Sequence, residues 1–327
     1  MTTSPLIPHG LHHVTAVTAN AQANLGFYTG VLGLRLVKKT VNQDDVTAYH
    51  LFFADGAGSP GSDLTFFEWP VPPEVPGNHS ITRTGLRVPK GSLEWWADHL
   101  RGHSLTITPV TRANRPHLDF ADPEGQRLSL VEGGPEGVVW EGSTIPTEHQ
   151  ILGLGPVELT LPGLFPTERV LTRAYGLHAA GTYPDPEKPE RTVHVYAMAS
   201  TDQHGGGPHA ELHLRLDPSL PPARPGAGGV HHLALRVRDE DYHAWSERLT
   251  GLGLRTSGEV DRHWFHSIYY REPQGILIEL ATDGPGFAVD EDPAHLGETL
   301  VLAPFLELRR GQIEAGLRPL SLKGRGN

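Results

Sequence analysis

The sequence GLHHVTAV at residues 10–17 places two adjacent histidines, His12 and His13, at the head of a short run of alternating residues. The sequence GVHHLALRV at residues 229–237 repeats this arrangement with His231 and His232. A single histidine pair carries little information in a chain that has 20 histidines. Because the pair recurs in the same local setting, it indicates an internal repeat.

The residues that follow the two histidine pairs predict the same order of elements. After His13 come a strand, a helix over ANAQANLGFYTGVLG and a strand over LRLVKKTV. After His232 come a strand, a helix over DEDYHAWSERLTGLG and a strand over LRTSGEV. Each helix carries apolar residues at helical spacing and ends at a glycine turn. Two weaker copies of the pattern begin near Leu86 and Leu159, so the unit is expected four times.

Each copy is predicted to be a βαβββ module, in which a curved sheet is covered by its helix on one face only. Two modules placed side by side form a cup whose concave face is free to hold a ligand. The predicted fold class is α+β, with four βαβββ modules that pair into two cup-shaped β-barrels. The modules are expected at residues 9–72, 78–134, 150–217 and 228–284, followed by a C-terminal tail at 285–327.

The composition limits the class of protein and the kind of site. The 327 residues include 27 Lys and Arg against 38 Asp and Glu, a net charge of −11, which disfavours nucleic acid and anionic membranes as partners. The absence of cysteine excludes disulfides, zinc–thiolate sites and cysteine nucleophiles, so a metal must be held by His, Asp or Glu. No signal peptide and no apolar run of about 18 residues is recognised, and we expect a cytoplasmic protein without a membrane span.

Strand alternation predicts which polar side chains share the concave face. His13 lies in phase with Thr15, His232 lies in phase with Ala234, and Glu279 faces away from the apolar set of its strand, ILIELAT. A carboxylate between apolar neighbours needs a cationic partner. If modules 1 and 4 pair, His13, His232 and Glu279 meet, and two imidazoles with one carboxylate bind Fe(II) while leaving open positions. Modules 1 and 4 are therefore predicted to form the metal-bearing barrel.

The corresponding positions of modules 2 and 3 do not favour a second metal. The first-strand positions hold Gly85 and Glu158, and the last-strand positions hold Ser129 and either Glu211 or His213. We expect one metal site in the chain and interpret the barrel of modules 2 and 3 as scaffold.

Six segments carry a resemblance to known proteins: GLHHVTA, FYTGVLGLRLVKKTVNQDDVTAYHLFFAD, GSDLTFFEWP, GGVHHLAL, DRHWFHSIYYREPQGILIEL and ETLVLAPFLELRRGQIEAGLRPL. Together they resemble the vicinal oxygen chelate superfamily, which includes glyoxalases, bleomycin resistance proteins and extradiol dioxygenases. Within it they resemble the ring-cleaving hydroquinone dioxygenases, of the chlorohydroquinone and methylhydroquinone kinds. The motif HHVTA is not specific by itself, whereas its combination with DRHWFHSIYYREPQGILIE is, and the resemblance covers nearly the whole chain.

The resemblance implies the residues of the site. The implied iron ligands are His13, His232 and Glu279, the set that strand alternation also selects. Roles close to the metal are implied for His12, Thr15, His231, Arg262 and Tyr269. Thr15 is expected on the face of His13, and Arg262 and Tyr269 are expected on the strands that lead to Glu279.

Two features fit the resemblance less well. Alternation directs His12 and His231 to the helix-packed face, where each would cap the packed layer, although twist at a strand end can turn a side chain round. In the loop VNQDDV, Gln43 and Val46 stand where the family has an aromatic residue and a proline. If this loop lines the mouth of the site, the departure affects the choice of ring substituent and leaves the metal ligands unchanged.

Further polar residues near the first histidine pair have alternative interpretations. Glu68 in TFFEW is a candidate fourth ligand, as in glyoxalases, but counting from the preceding turn gives that position to Thr65 or Phe67. We therefore expect Glu68 to be exposed or adjacent to the site. Three residues are interpreted as belonging to a solvated turn: Asp44, Asp45 and His50.

The implied function is that of a non-haem iron enzyme. The resemblance implies an Fe(II)-dependent dioxygenase, with Mn(II) as the alternative ion, that opens a hydroquinone-type ring with O₂ and incorporates both oxygen atoms. The alternatives are a catechol-type extradiol dioxygenase, a glyoxalase-like metal-dependent isomerase or lyase, and a metal-free module that binds an aromatic compound. The expected partners are a small aromatic diol and O₂, without nucleic acid or membrane, and the acidic tail is a candidate contact between subunits of a homo-oligomer.

Overall fold

The four βαβββ modules are present in the structure, a computed structural model that describes residues 6–198 and 207–322. Module 1 contains β1 (Leu11–Thr18), α1 (Ala21–Gly30), β2 (Arg35–Val41), β3 (Tyr49–Ala54) and β4 (Asp63–Glu68). Module 2 contains β5 (Ser80–Val88), α2 (Leu93–Gly102), β6 (Thr108–Arg112), β7 (Arg115–Ala121) and β8 (Arg127–Glu132).

The second half of the chain repeats this order. Module 3 contains β9 (Gly153–Leu161), α3 (Phe165–Arg169) with a π-helical continuation (Val170–Ala174), β10 (His178–Pro184), β11 (Thr192–Ala197) and β12 (Glu211–Leu216). Module 4 contains β13 (Val230–Val237), α4 (Tyr242–Gly251), β14 (Val260–Asp261), β15 (His266–Arg271) and β16 (Leu277–Thr282), and the tail ends in α5 (Arg310–Gly316). Residues 199–206 of the predicted third module and 323–327 of the predicted tail lie outside the described residues. We propose the module boundaries given above, which fall between these groups of strands.

The modules pair into two eight-stranded sheets. The strand order is β14-β15-β16-β13-β1-β4-β3-β2 in the first sheet and β10-β11-β12-β9-β5-β8-β7-β6 in the second. Modules 1 and 4 join through antiparallel β1 and β13, and modules 2 and 3 join through antiparallel β5 and β9. We call the concave sides of these sheets the first cup and the second cup. The predicted α+β fold, with modules 1 and 4 in one sheet, is thereby confirmed.

The main apolar core joins the helices to both sheets. It contains Tyr28 of α1, Trp96 of α2 and Trp245 of α4, each at most 1% exposed, together with strand leucines such as Leu233 and Leu280. Burial of each such side chain contributes roughly 2–3 kcal/mol of hydrophobic free energy. This core explains why the helices cover only one face of each sheet.

A smaller apolar cluster lies in the first cup. Its members are Val37, Phe52, Ala54, Ala234, Trp264, Phe265, Ala281, Phe287 and Leu296. Ala234 and Ala281 alternate along their strands with the leucines of the main core, so both faces of this sheet are buried. Phe287 and Leu296 belong to the tail, which therefore closes part of the first cup.

The strand predicted over LRTSGEV is shorter than expected. The structure retains only the isolated bridge between Thr256 and Tyr270 and the two residues of β14. Gly258 lies between them with φ +72°, a conformation that interrupts a strand and favours glycine. No helix within residues 6–198 and 207–322 has the length and apolar character needed to cross a membrane.

Candidate metal centre

Three buried ligand atoms from the two ends of the chain converge in the first cup. Nε2 of His13 lies 3.2 Å from Nε2 of His232 and 3.1 Å from Oε2 of Glu279, and Nε2 of His232 lies 3.0 Å from the same carboxylate oxygen. His13 and His232 are 219 positions apart in the sequence, and the pairing of β1 with β13 brings them together. In the described part of the chain this is the one group of three such side chains that could hold a metal ion.

Two β-bulges explain why the histidines occur in adjacent pairs. On β1, Leu11 pairs with Leu235 and His13 with Ala234, which leaves His12 as an extra residue. Thr15 pairs with His232 and Ala16 pairs with Val230, which leaves His231 as an extra residue on β13. A bulge breaks strict alternation. The expectation that His12 and His231 point to the helix-packed face is therefore wrong, because each ring lies beside its neighbouring histidine.

The contacts of His12 define the tautomer of His13. Nε2 of His12 lies 3.0 Å from the carbonyl oxygen of Thr282, which only accepts, so this nitrogen carries the hydrogen. Burial lowers the pKa of His12 to about 3, and the ring is neutral. Its Nδ1 therefore accepts from Nδ1 of His13, 2.9 Å away. His13 is left with a lone pair on Nε2, the atom that faces Glu279.

The second histidine pair has the same geometry. Nδ1 of His231 lies 2.8 Å from Nδ1 of His232, and partial loss of solvent around the ring lowers the pKa of His231 to about 4. Donation from His232 to His231, the direction assigned to His13 and His12, would leave Nε2 of His232 free to bind a cation. His231 differs from His12 in position, because its ring lies at the rim against Phe67 and Trp69 and the residue is exposed.

Glu279 presents one buried carboxylate oxygen to the two histidine rings. Its Oε1 accepts from Oγ of Ser267 at 2.5 Å, whereas its buried Oε2 lies 3.1 Å from Nε2 of His13 and 3.0 Å from Nε2 of His232. Burial raises the pKa of this carboxyl, but attraction to His13 and His232 outweighs burial and holds the pKa well below its usual range. A cation would replace any hydrogen held between this buried oxygen and the two imidazole nitrogens, because metal ligands bind in their deprotonated forms.

A hydroxyl occupies the position that a fourth protein ligand would take. Glu279 pairs with Ala234, two residues after His232, and Thr65 pairs with Thr15, two residues after His13. Thr65 is thus the module 1 equivalent of Glu279. Glu68 lies at the end of β4, where its Oε1 accepts from the backbone N–H of Ala21 at 3.3 Å.

A narrow, mostly aromatic cavity leads to the three ligand atoms. Its free volume is about 40 Å³, which holds a few water molecules. Its apolar walls are Phe52, Phe67, Trp264 and Phe265, and its polar lining includes Asn42, Gln43, Asp44, His50, Arg262 and Tyr269. A ring-sized ligand therefore enters only when side chains at the mouth move apart.

Arg262 and Tyr269 lie together at this mouth. Tyr269 is on β15 as expected, whereas Arg262 lies in the turn between β14 and β15 and not on a strand, because β14 ends at Asp261. Nε of Arg262 donates to Oη of Tyr269 at 3.2 Å, and the guanidinium lies 5.2 Å from the tyrosine ring centre. Arg262 also donates to Oδ2 of Asp44 at 2.9 Å, and Gln43 donates to its backbone carbonyl at 2.9 Å. Asp44 is therefore an ion-pair partner across the mouth, whereas Asp45 bonds within its own turn to Thr47.

His50 belongs to the cavity and not to a solvated turn. Its Nε2 lies 2.9 Å from Oγ1 of Thr65, which lies 2.8 Å from Oγ1 of Thr15. Burial lowers the pKa of His50 well below its usual value, so the ring is neutral. Sequence reasoning missed this residue, although its position on β3 opposite Phe67 follows from the pairing of β3 with β4.

The C-terminal tail contacts one wall of the cavity through the buried side chain of Lys38. Nζ of Lys38, on a fully buried side chain, lies 2.7 Å from Oδ1 of Asp290 and 2.5 Å from Oε2 of Glu291. The other oxygen of Asp290 accepts from Nε1 of Trp264 at 2.8 Å. Trp264 precedes Phe265, whose ring packs against His13 at a centroid distance of 5.3 Å. Nothing in the sequence pattern distinguished Lys38 from a surface lysine.

The second cup contains paired charges. Arg112 donates to both oxygens of Asp119 at 2.7 and 2.6 Å, and Arg83 contacts the same carboxylate at 3.0 Å. Ser129 donates to Asp119 at 2.7 Å, and Glu211 contacts His213 and Arg115. These carboxylates are paired with arginines, whereas Oε2 of Glu279 faces only the two imidazoles among the described residues.

Comparisons with known proteins agree with this geometry. The sequence profile of the Glyoxalase/Bleomycin resistance protein/Dioxygenase superfamily matches residues 10–130 and 168–280. A Bacillus subtilis (strain 168) protein named "Putative ring-cleaving dioxygenase MhqA" is 46% identical over 319 residues, which cover 95% of this chain and 99% of the relative. The "Chlorohydroquinone/hydroquinone 1,2-dioxygenase" of Sphingobium indicum is 32% identical over 311 residues, which cover 91% of this chain and 92% of the relative.

A solved structure extends the agreement to the fold. The crystal structure of a "putative dioxygenase" from Bacillus subtilis has a TM-score of 0.89 to this chain at 35% identity and covers 98% of this chain and 99% of its own. The resemblance drawn from the sequence is thereby confirmed. The chain belongs to the glyoxalase/bleomycin resistance protein/dioxygenase superfamily and, within it, to the family of ring-cleaving dioxygenases.

Proposed function

We propose that the protein is a non-haem Fe(II)-dependent dioxygenase that opens a hydroquinone-type, para-dihydroxy aromatic ring and incorporates both atoms of O₂. The observation that carries the proposal is the triangle formed by Nε2 of His13, Nε2 of His232 and Oε2 of Glu279. The substrate class is supported by the names of the relatives, one of which is a hydroquinone dioxygenase.

The ligand triangle is small enough for one ion to contact all three atoms. Metal–ligand distances of about 2.1 Å place neighbouring ligands roughly 3.0–3.4 Å apart. The edges here are 3.0, 3.1 and 3.2 Å. His13, His232 and Glu279 would hold Fe(II), with Mn(II) as the alternative. The bound ion would supply open positions for a substrate hydroxyl and O₂ and would transfer electrons between them.

Arg262 and Tyr269 are suited to bind the oxygen of a phenolic substrate. The charge of Arg262 stabilises negative charge that develops on the ring oxygen. Burial raises the pKa of Tyr269 well above its usual value. Tyr269 therefore remains protonated and acts as a hydrogen-bond donor, which leaves the removal of a substrate proton to another group.

His50 is the group proposed to relay that proton, because its lowered pKa makes it a weak base that passes the proton on. It is the neutral imidazole of the cavity lining that is not in the ligand set. The hydrogen bond from His50 to Thr65 orients the imidazole ring toward the cavity. The Thr65 hydroxyl, which is bonded to Thr15, could receive the proton from His50. The aromatic walls of Phe52 and Phe265 pack against the ring of the substrate and exclude water.

The alternative functions fit the site less well. In catechol-type extradiol dioxygenases the ligands come from the third and fourth modules, but Glu158 of the third module lies in the second cup beside Thr82 and Arg112. A glyoxalase-like enzyme needs a fourth protein ligand, and Thr65 stands in that position. A metal-free binding module has no use for two imidazole nitrogens and a buried carboxylate oxygen that converge within 3.2 Å of one another.

Oxygen uptake on a panel of diols tests the proposal. Protein loaded anaerobically with Fe(II) is mixed with O₂ and hydroquinone, methylhydroquinone, chlorohydroquinone or catechol, with His13→Ala as the control. We expect uptake with at least one para-diol and none with the control. Uptake with catechol alone, or with no diol although the protein retains iron, would refute the proposal.

A further inference from the structure

We propose that the mouth of the second cup is a binding site for a small oxyanion, a carboxylate or a phosphate, with Arg127 as its main contact. The site is separate from the metal centre, because it lies in the other sheet and shares no residue with the first cup. The proposal gives a binding role to modules 2 and 3, which the sequence pattern predicts to be scaffold.

The site is a cavity with a predominantly cationic lining. Its volume is about 180 Å³, compared with about 40 Å³ in the first cup. Its polar lining consists of Thr82, Arg127, Thr160, Glu187, Lys188 and Arg215. Three of these side chains are cations and one is a carboxylate, so the lining has an excess of positive charge.

The carboxylates near this cavity are already bound by other cations. The two oxygens of Glu187 contact Arg83 at 2.9 Å and Arg215 at 3.0 Å. Arg215 also contacts Asp185 at 2.6 Å, and Lys188 contacts Asp217 at 2.7 Å. No carboxylate of this group is left for Arg127.

Arg127 has a donor without an acceptor. Its Nη2 is buried and has no hydrogen-bond partner within the described residues. Burial, and next the charge of Arg83, lower the pKa of Arg127, while Glu74, Glu158 and Glu187 attract it from beyond contact distance. A buried guanidinium nitrogen without an acceptor costs free energy, and an oxyanion satisfies it with a charge-assisted bond.

The location matches that of a binding site. The loop between β10 and β11, which supplies Glu187 and Lys188, is the module 3 equivalent of the loop between β2 and β3 that lines the mouth of the first cup. Paired charges such as Arg112 with Asp119 fill the cup beneath it. The ligand is therefore small and lies at the mouth.

Calorimetric titration of the full-length protein with inorganic phosphate, and separately with acetate, tests the proposal in a buffer of low chloride. We expect saturable binding of one anion per chain, and the anion that binds identifies the ligand as phosphate or carboxylate. Arg127→Gln is expected to weaken binding at least tenfold. Arg101→Gln removes an exposed arginine that pairs with Asp98, and it is expected to leave the affinity unchanged.

Two results would overturn the proposal. One is the absence of saturable binding of both anions to the wild-type protein, and the other is equal binding by wild-type protein and Arg127→Gln. If Arg127→Gln does not fold, Lys188→Gln takes its place, because its lysine is partly exposed. That variant is expected to bind at least threefold more weakly, and an unchanged affinity would contradict the assignment.

Discussion

The Nδ1 atoms of His12 and His13 lie 2.9 Å apart, so one ring must donate and the other must accept. The carbonyl of Thr282 determines which ring donates, because it accepts a hydrogen bond from Nε2 of His12 and so leaves Nδ1 of His12 as the acceptor. Thr282 ends β16, the strand that also carries Glu279. One strand thus supplies the carboxylate and, through His12, orients the first imidazole.

Loss of His12 is predicted to weaken metal binding without unfolding the protein. His12→Phe keeps a ring against Phe265 but removes the acceptor that fixes the tautomer of His13. Removal of such a partner typically costs about 10–100-fold in metal affinity. Titration with Co(II), followed by its visible absorption, measures the change, and the exposed His103→Phe serves as the control. An affinity equal to that of the wild type would contradict the tautomer assignment.

Removal of the Glu68 carboxylate is predicted to leave the metal site intact. Glu68→Gln retains an acceptor for the N–H of Ala21, and Glu68 is not among the three converging ligands. Metal content and O₂ uptake are expected to match the wild type, with stability within about 0.5 kcal/mol. Metal analysis of the purified variant checks this, and a lost metal ion would favour a four-ligand, glyoxalase-like centre.

The sequence predicted the ligand triangle because three simple regularities agree there. The repeat places His13 and His232 at equivalent positions, strand alternation places Glu279 on the same side, and the modules pair as expected. The orientation of His12 and His231 could not be obtained in this way. A one-residue bulge shifts the pairing register of a strand, and no particular residue type marks its position in a sequence. The repeated pair of adjacent histidines was the one sequence feature associated with these bulges.

The remaining parts of the site depend on contacts between distant segments. Lys38 reads as one of two adjacent lysines, and only the packing of the tail shows that it is buried beside Asp290. Asp44 reads as a turn residue, and its pairing with Arg262 crosses between modules 1 and 4. Such contacts follow from the assembled fold, which local sequence patterns do not encode.

The buried lysine provides a stability prediction. Lys38→Met leaves Asp290 and Glu291 without their cation, and removal of one partner of a buried ion pair costs about 3–5 kcal/mol. Lys39→Met changes the neighbouring lysine, whose Nζ donates to the carbonyl of Glu298 at 3.1 Å, and is expected to cost less than about 1 kcal/mol. Urea unfolding measures both free energies. If both variants lost the same small amount of unfolding free energy, the packing of the tail would not depend on the Lys38 ion pairs.

We predict that the protein loses stability in acid through the carboxyl group of Glu211 in the second cup. Burial raises the pKa of Glu211, but hydrogen bonds from His213 and Arg115 outweigh it and lower the pKa to about 2. A lowered folded-state pKa gives stability that is complete above the unfolded value of 4.5 and is lost as the pH falls toward 2.

The Glu211→Gln variant isolates this contribution. It is expected to remove on the order of 2 kcal/mol of the stability lost between pH 5 and pH 2. The exposed Glu190→Gln is expected to leave the acid limb of the stability curve unchanged. Free energies of unfolding measured across this pH range provide the comparison, and parallel curves for wild type and Glu211→Gln would disprove the assignment.

The stoichiometry of bound metal tests the central claim most directly. Fe(II)-loaded, desalted protein is analysed for iron beside His13→Ala, His232→Ala and Glu279→Gln, each of which removes one corner of the triangle. We predict one iron per wild-type chain and less than a tenth of that in each variant, since all three side chains hold the same ion. Full iron in any one of the folded variants, or no iron in the wild type, would contradict the account.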